Sequence, residues 1–446
     1  MTRLVVKLGS SSIASGDGLA LDVIANLLTQ IAGAQRAGHE VVLVTSGAAR
    51  LGRGLLEFEG PRAHGPLGVA LAASVGQPAL MALYRQLAAS LGVEVCQILL
   101  SKSDLDSAEA MRDVGSVIVA ALGRGLLPVV NGNDTTDPRS ELDNDQIAVA
   151  VAVAAEATRL TLLTNVRGVY ADAELRERIE RLTPEEARAL RISLAGEGRG
   201  GMRSKLNAAA RAAYCGVETV IGSARDSDVV ARSLSPRARL GTTVRAVAGP
   251  LPPAQRWVGG IAYRMGTIGI NREAEASLRG GSTLFLSGVK RVDGEFDAGA
   301  VVELVDVRHP ERLIGRGSVA LPSAALRLLR ALSPEESADV LSILFRQRHA
   351  PAPLDAERFA DVADLARRGS LAARQAHAEL SAMTTERVAA LTDALLAAQP
   401  RACAAILAEG SFLAGKADSG SSGRRAVRDM HAVHRDSLVV FGGFGG

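Results

Sequence analysis

Short apolar runs alternate with longer helical patterns through the first 247 residues. Leu4–Lys7 ends at Gly9-Ser10-Ser11-Ser12, and a helical pattern follows from about Leu21 to Ala37. Glu40–Val44 stops at Thr45-Ser46-Gly47. A helical stretch over Leu67–Leu91 precedes the apolar run Val93–Leu99, and another over Ala108–Leu122 precedes Leu127–Asn131. Gln146–Ala155 leads into Leu160–Leu163, and Met202–Tyr214 leads into Val217–Ile221. Short apolar strands joined by longer helices predict βα units around a buried, mostly parallel sheet. Polar and glycine-containing tips follow the strands. In such sheets the ligand crevice lies beyond the strands' carboxyl ends.

The texture changes after residue 247. Ala248-Gly249-Pro250-Leu251-Pro252-Pro253 reads as a stiff linker, extending over 248–256. Residues 257–345 show short β-like runs with glycine-containing turns, such as Thr283–Leu286 and Ala300–Val305, and predict a small all-β module. Residues 350–425 are rich in Ala, Leu, Arg and Glu at helical spacing, as in Ala372, Ala376, Leu380 and Met383. The segment around 430–446 returns to a strand pattern at Val433–Val440. A helical insert therefore precedes a strand that completes the β module.

Composition narrows the picture. Hydrophobic residues make up 47% but aromatics only 3%, so the core is built from Ala, Val, Leu and Ile. A net charge of +3 from 51 basic and 48 acidic residues argues against a protein held on nucleic acid by bulk charge. Cys96, Cys215 and Cys403 are far apart and form no zinc-type spacing, so no metal site is expected. The first apolar run is broken at Lys7, too early for a signal peptide. No charge-free apolar run of membrane-spanning length is expected, and the reading is a cytoplasmic protein without a membrane anchor.

No GxxxxGK[ST] run occurs, so phosphate must be held without a P-loop. Four stretches follow strands or open helices. Lys7-Leu8-Gly9-Ser10-Ser11-Ser12 offers a sharp turn, backbone N–H groups and a point charge; an ordinary serine-rich turn has the same pattern. Thr45-Ser46-Gly47-Ala48 can bind a carboxylate at a helix start, or simply cap it. Asn131-Gly132-Asn133-Asp134 and Asp143-Asn144-Asp145 are two dense polar clusters suited to an ammonium group or to orienting lysines. Gly198–Lys205 is a glycine-rich loop opening a helix, a shape that can sit over nucleotide phosphates.

Together, in this order and spacing, the four stretches resemble those of the amino acid kinase family, in its glutamate 5-kinase branch. The likeness covers about residues 3–247. Trp257 to about Phe345, with Val433–Val440, resembles a PUA domain through Ser282-Thr283-Leu284, Gly294–Gly299 and Ala432–Asp436. The resemblance implies an α/β/α sandwich, and transfer of the ATP γ-phosphoryl group to the side-chain carboxylate of L-glutamate, the first step of proline biosynthesis. Carried over residue by residue, Lys7 and Lys205 stabilise the transferring phosphoryl and Asp143 orients the two lysines. Ser46, Asp134 and Asn144 bind glutamate. ATP is held by Lys7, Gly9, Ser10, Thr164, Asn165 and Arg199-Gly200-Gly201-Met202-Arg203-Ser204-Lys205, with Mg²⁺ carried on its phosphates.

The sequence departs from that family pattern around the acceptor. Gly132 stands in place of a usual Glu, Asn165 in place of a usual Asp, and Arg139–Leu142 lacks the usual Phe-Gly. Arg112–Gly115 does not match the family's Asn-Ala-Arg segment. A kinase of the same fold acting on another amino or carboxylic acid is the second reading. An RNA-binding or regulatory protein built on the PUA-like module is the third, although scarce aromatics leave little for base stacking. Within the insert, Ala372–Ala417 is similar to the N-terminal helices of glutamyl phosphate reductase. That stretch reads either as a generic amphipathic helix pair or as an element that docks the reductase. A homo-oligomer is expected.

Overall fold

The alternating runs fold into two units, Met1–Tyr263 and Arg264–Gly446. A computed structural model describes residues 1–446 except 16–17, 139–142, 172–173, 181, 183–200, 236–239, 248–250, 263, 311, 331, 333–336, 338–339, 342–343, 345–374, 377–384, 400–402, 404–429 and 441–446.

The first unit is built on eight strands: β1 (Arg3–Leu8), β2 (Glu40–Val44), β3 (Val95–Leu100), β4 (Leu127–Gly132), β5 (Arg159–Thr164), β6 (Arg178–Ile179), β7 (Glu218–Ser223) and β8 (Thr242–Val244). They lie in the order β6-β8-β7-β5-β1-β2-β4-β3. The strands from β7 to β3 run parallel, and β8 is reversed against β7. Alternate residues of the central strands enter opposite cores. Val5, Val42 and Val44 pack into one, while Leu4, Val6, Val41 and Leu43 pack into the other. Burial on both faces is what a covered parallel sheet requires, and it explains the continuous apolar runs.

Helices α1 (Leu21–Arg36), α2 (Ala48–Leu55), α3 (Pro66–Ala89), α4 (Ala108–Leu122), α5 (Asn144–Ala154) and α6 (Met202–Tyr214) accompany the sheet. Residues of α4, α5 and α6 cover the Val5 face, and residues of α1 and α3 cover the Leu4 face. The Ala-Ala-Arg-Leu-Gly-Arg-Gly-Leu sequence of α2 carries little helical signal, because glycine disfavours helix interiors. Its packing on α3 supplies the stability instead. A Cβ at Gly52 would lie 1.8 Å from the Ala72 carbonyl oxygen, and one at Gly76 only 1.9 Å from that of Ala48. The two backbones touch there, and only glycine permits it.

Two expectations need correction. Helix α3 is long and apolar enough to cross a membrane by length and composition, and it carries no charge from Pro66 to Tyr84. The expected absence of such a run therefore fails. Leu80 and Tyr84 of this helix are buried in the sheet's core, and Ala88 is buried as well. Second, Trp257–Ile261 was expected to open the β module but forms a π-helical turn within the first unit. Val258 and Ile261 are buried there, and the Arg211 guanidinium of α6 donates to the Gly260 carbonyl at 2.6 Å.

The second unit holds β9 (Gly266–Ile270), β10 (Leu284–Phe285), β11 (Val289–Asp293), β12 (Val301–Asp306), β13 (Leu313–Val319) and β14 (His431–Val440). Their order is β10-β14-β13-β12-β9-β11, so β14 is an interior strand between β10 and β13. The unit is not all-β. Arg272–Arg279 is a helix capped by the Asn271 side chain, with Glu275 bonded to Arg279 one turn on, and Ser323–Leu329 is another. Of the expected insert, Thr385–Ala398 is a helix whose Val388, Leu391 and Leu395 join the core cluster of Ile268, Val302 and Ile314. Most of 350–425 lies outside the described residues; of the reductase-like stretch 372–417, only 375–376, 385–399 and 403 are described.

Candidate active site

Registry brings the polar tips to one edge of the first sheet. Lys7 lies opposite Val44 and Leu162, Leu100 opposite Gly132, and Ser223 opposite Thr164. The turns after β1, β2, β4 and β5 therefore open at the same carboxyl edge.

Lys7 shares a face of β1 with Val5, because side chains alternate along a strand. It therefore points to the α5–α6 layer. There its Nζ lies 2.7 Å from Asp145 Oδ1, and Lys205 Nζ of α6 lies 3.2 Å from Asp145 Oδ2. Asp145 is fully buried, and Lys7 and Lys205 are 5% and 2% exposed. Burial pushes the Asp145 carboxyl up, but the adjacent Lys7 and Lys205 ammoniums hold it below its ordinary value. Burial pulls the Lys205 ammonium below the ordinary lysine value, with Asp145 opposing that and Lys7 adding to it. Two buried cations share this carboxylate, and Asp143 adds a weaker attraction on Lys205.

The carboxylate between the lysines is thus Asp145 and not Asp143. Asp143 sits at the N-cap of α5, where its Oδ1 accepts from the backbone N–H groups of Asp145 and Gln146 at 2.9 Å each. Its other oxygen accepts from the Ser204 hydroxyl. The first acid of Asp-Asn-Asp spends itself on the helix start, and the third lies in the first turn facing β1.

Beside the lysines runs a row of amides. Asn144 Nδ2 donates to the Thr45 carbonyl at 2.8 Å, to Ser46 Oγ and to Asn131 Oδ1 at 3.2 Å. Asn131 Nδ2 donates to Gln77 Oε1 at 2.9 Å. Thr45 and Tyr84 share a 2.6 Å hydroxyl hydrogen bond, and burial pushes the Tyr84 phenol up to about 12. Gly47 precedes α2 with φ of 101°, a conformation that favours glycine, and no side chain caps that helix. Asp134 follows β4. Burial, reinforced by nearby Asp137, pushes its carboxyl above the ordinary value. A Cβ at Gly132 would lie 3.5 Å from Asn144 Oδ1 and 3.7 Å from Asp134 Oδ1, so Gly132 lies between these two groups.

Of the nucleotide residues expected, Gly9 lies directly at the cluster: a Cβ there would meet Lys7 Nζ at 3.0 Å. Ser10 begins the helical turn Ser10–Ile13. Thr164 ends β5, and its hydroxyl donates to Asn165 Oδ1 at 3.3 Å. Gly201 precedes α6, Met202 packs against the core, and Arg203 is exposed. Arg199 and Gly200 lie outside the described residues. Sequence reasoning included Asp145 only as part of the Asp-Asn-Asp run, with Asp143 as the residue orienting the lysines, and gave no role to Gln77 or Tyr84. Gln77 had a visible signal, as an amide inside the charge-free stretch Pro66–Tyr84.

Known proteins share this arrangement of sequence. A family model described as Amino acid kinase family matches residues 2–223, and one described as PUA domain matches 266–335. A glutamate 5-kinase from Ralstonia nicotianae is 36% identical over 353 residues, covering 76% of this chain and 92% of that protein. One from Gloeobacter violaceus is 35% identical over 359 residues, covering 77% and 95%. The chain belongs to the amino acid kinase family, and within it to the glutamate 5-kinases. A solved carbamate kinase from Giardia lamblia bound to AMP-PNP aligns at 14% identity with a TM-score of 0.41, over 55% of this chain and 99% of that one.

Proposed function

We propose that this chain transfers the γ-phosphoryl group of ATP to the side-chain carboxylate of L-glutamate, giving glutamyl 5-phosphate and ADP, the first step of proline biosynthesis. The observation that carries this is the Lys7–Asp145–Lys205 cluster beside the Ser46–Asn144–Asn131 row at one sheet edge. An acceptor carboxylate oxygen attacks phosphorus, the bond to the β-phosphate oxygen breaks, and ADP leaves. The reaction needs in-line positioning and charge stabilisation with little covalent help. Lys7 and Lys205 supply fixed positive charge to the phosphoryl oxygens. Asp145 holds both ammoniums in place, and Asp143 holds α5 and Ser204 of α6 together. Ser46, Asn144 and Asp134 grip the acceptor, with Asp134 on its ammonium group.

ATP lies over Gly9, Ser10, Thr164, Asn165 and the 199–205 stretch, and brings Mg²⁺ on its phosphates to offset their charge. Incubation with ATP, glutamate and hydroxylamine should yield glutamyl hydroxamate and ADP in equal amounts. ADP without hydroxamate, with glutamate present, would sink the assignment.

Gly132, beside Asn144 and Asp134 and in place of the family's usual Glu, supports a second reading in which another amino or carboxylic acid is the acceptor, and an acceptor panel in the same assay separates the two. We further propose a cytoplasmic homo-oligomer that passes its labile acyl phosphate to a glutamyl phosphate reductase.

A further inference from the structure

The row of amides ends in a donor with no partner. Gln77 is 8% exposed, and its Nε2 is buried without a hydrogen bond. A buried orphan donor is costly, at about 1–3 kcal/mol, so the group calls for a partner.

Neighbouring bonds fix which end of the amide is which. Asn131 Oδ1 accepts from the Gly132 N–H at 2.9 Å and from Asn144 Nδ2, so Asn131 must present its NH₂ to Gln77. Gln77 therefore accepts with Oε1 and keeps Nε2 free to donate. Its backbone is equally fixed, because Gly76 rests against the Ala48 carbonyl at the start of α2. From the lysines outward the order is Asp145, Asn144, Asn131, Gln77, so Gln77 stands at the end of the row far from the phosphoryl site.

We infer that Gln77 Nε2 donates to the α-carboxylate of the amino acid acceptor. This rests on the reading of the site as a glutamate kinase. Glutamate carries one carboxylate to be phosphorylated, at the lysines, and a second at its other end. That second carboxylate needs a donor of its own, and Gln77 Nε2 is the donor left open in the hydrogen-bonded row that includes Ser46 and Asn144.

Gln77→Glu tests this cleanly. It keeps an oxygen for Asn131 and replaces only the free donor with an anionic oxygen. Glutamate and 4-aminobutyrate, which lacks the α-carboxylate, are compared by hydroxamate formation. In the wild-type protein kcat/KM should favour glutamate. In the variant that preference should fall on the order of 10- to 100-fold, the worth of a hydrogen bond to a charged group, while the KM for ATP holds. Gln77→Met, close in volume, should lower the same preference if the glutamate side chain destabilises the helix. An unchanged preference in either folded variant overturns the inference and leaves the kinase reading intact. Wild-type protein that forms no glutamyl hydroxamate overturns both.

Discussion

Replacing Asp145 by Asn keeps the shape of the side chain and removes its charge. Lys7 and Lys205 would then be two ammoniums, 5% and 2% exposed, with no carboxylate between them. Removing one member of a buried ion pair costs about 3–5 kcal/mol, because the remaining charge stays buried. For a unit of this size each kcal/mol lowers Tm by roughly 2–4 °C, so the variant should melt about 6–20 °C lower. Turnover should drop about 100-fold or more, since misplacing the ammoniums by about 1 Å costs that much. The pH dependence adds a signature. The Asp145 carboxyl is held below 3.8, so its stabilisation is present above that value and lost as pH falls through the lower folded-state value. Wild-type and variant melting temperatures should therefore converge in strong acid. Lys205 is held below 10.5, so its burial penalises folding at neutral pH. The penalty lifts as pH rises from the folded-state value toward 10.5, and the variant should regain stability there. Calorimetric melts across pH, with hydroxamate formation at neutral pH, measure both. A variant with near-normal Tm and turnover would refute Asp145 as the anchor of the lysines.

Four further outcomes are expected. Asp134→Asn should raise the KM for glutamate by more than tenfold and leave that for ATP unchanged, about what one lost charged hydrogen bond removes; equal shifts for both would displace Asp134 from the acceptor site. Gly76→Ala should cost about 1–3 kcal/mol, because its Cβ meets backbone and not a movable side chain, and an unaltered melt would disprove the contact. A fragment 1–263 should melt well above a fragment 1–247, which lacks the buried Val258 and Ile261 and the carbonyl bonded to Arg211; equal melts would show that 257–261 contributes nothing. Leu395→Ala should destabilise the second unit by about 2–5 kcal/mol, since Leu395 is fully buried in its core; a loss under about 1 kcal/mol would mark that helix as peripheral.

Much of the first unit was legible because its strands are buried on both faces. Glu40–Val44, Ala108–Leu122 and Met202–Tyr214 coincide with their apolar patterns. Helix α2 was not legible, because what stabilises it is a glycine contact with α3 that no local pattern encodes. Trp257–Ile261 misled for a related reason: Trp257, Val258 and Ile261 have strand-like propensity, and their conformation is set by the surface they pack on. The site divides in the same way. Lys7 stands out at the carboxyl end of β1 and Lys205 in the first turn of α6, each beside a glycine-containing turn. Asp143 and Asp145 are chemically identical two residues apart, and only the backbone direction at the start of α5 separates the cap from the carboxylate between the lysines.

The position of β14 bears on how the chain is made. The first unit is contiguous in sequence, so all its strands have been synthesised by residue 263. The second cannot close its sheet until residues 431–440 are synthesised, because that strand lies between β10 and β13, and Gly315 pairs with Val440. Until then β13 presents an unpaired edge of apolar residues on the ribosome, the kind of surface that recruits other chains. The amino-terminal unit can fold while translation continues, whereas its neighbour needs that exposed edge shielded for the time taken to translate over a hundred codons.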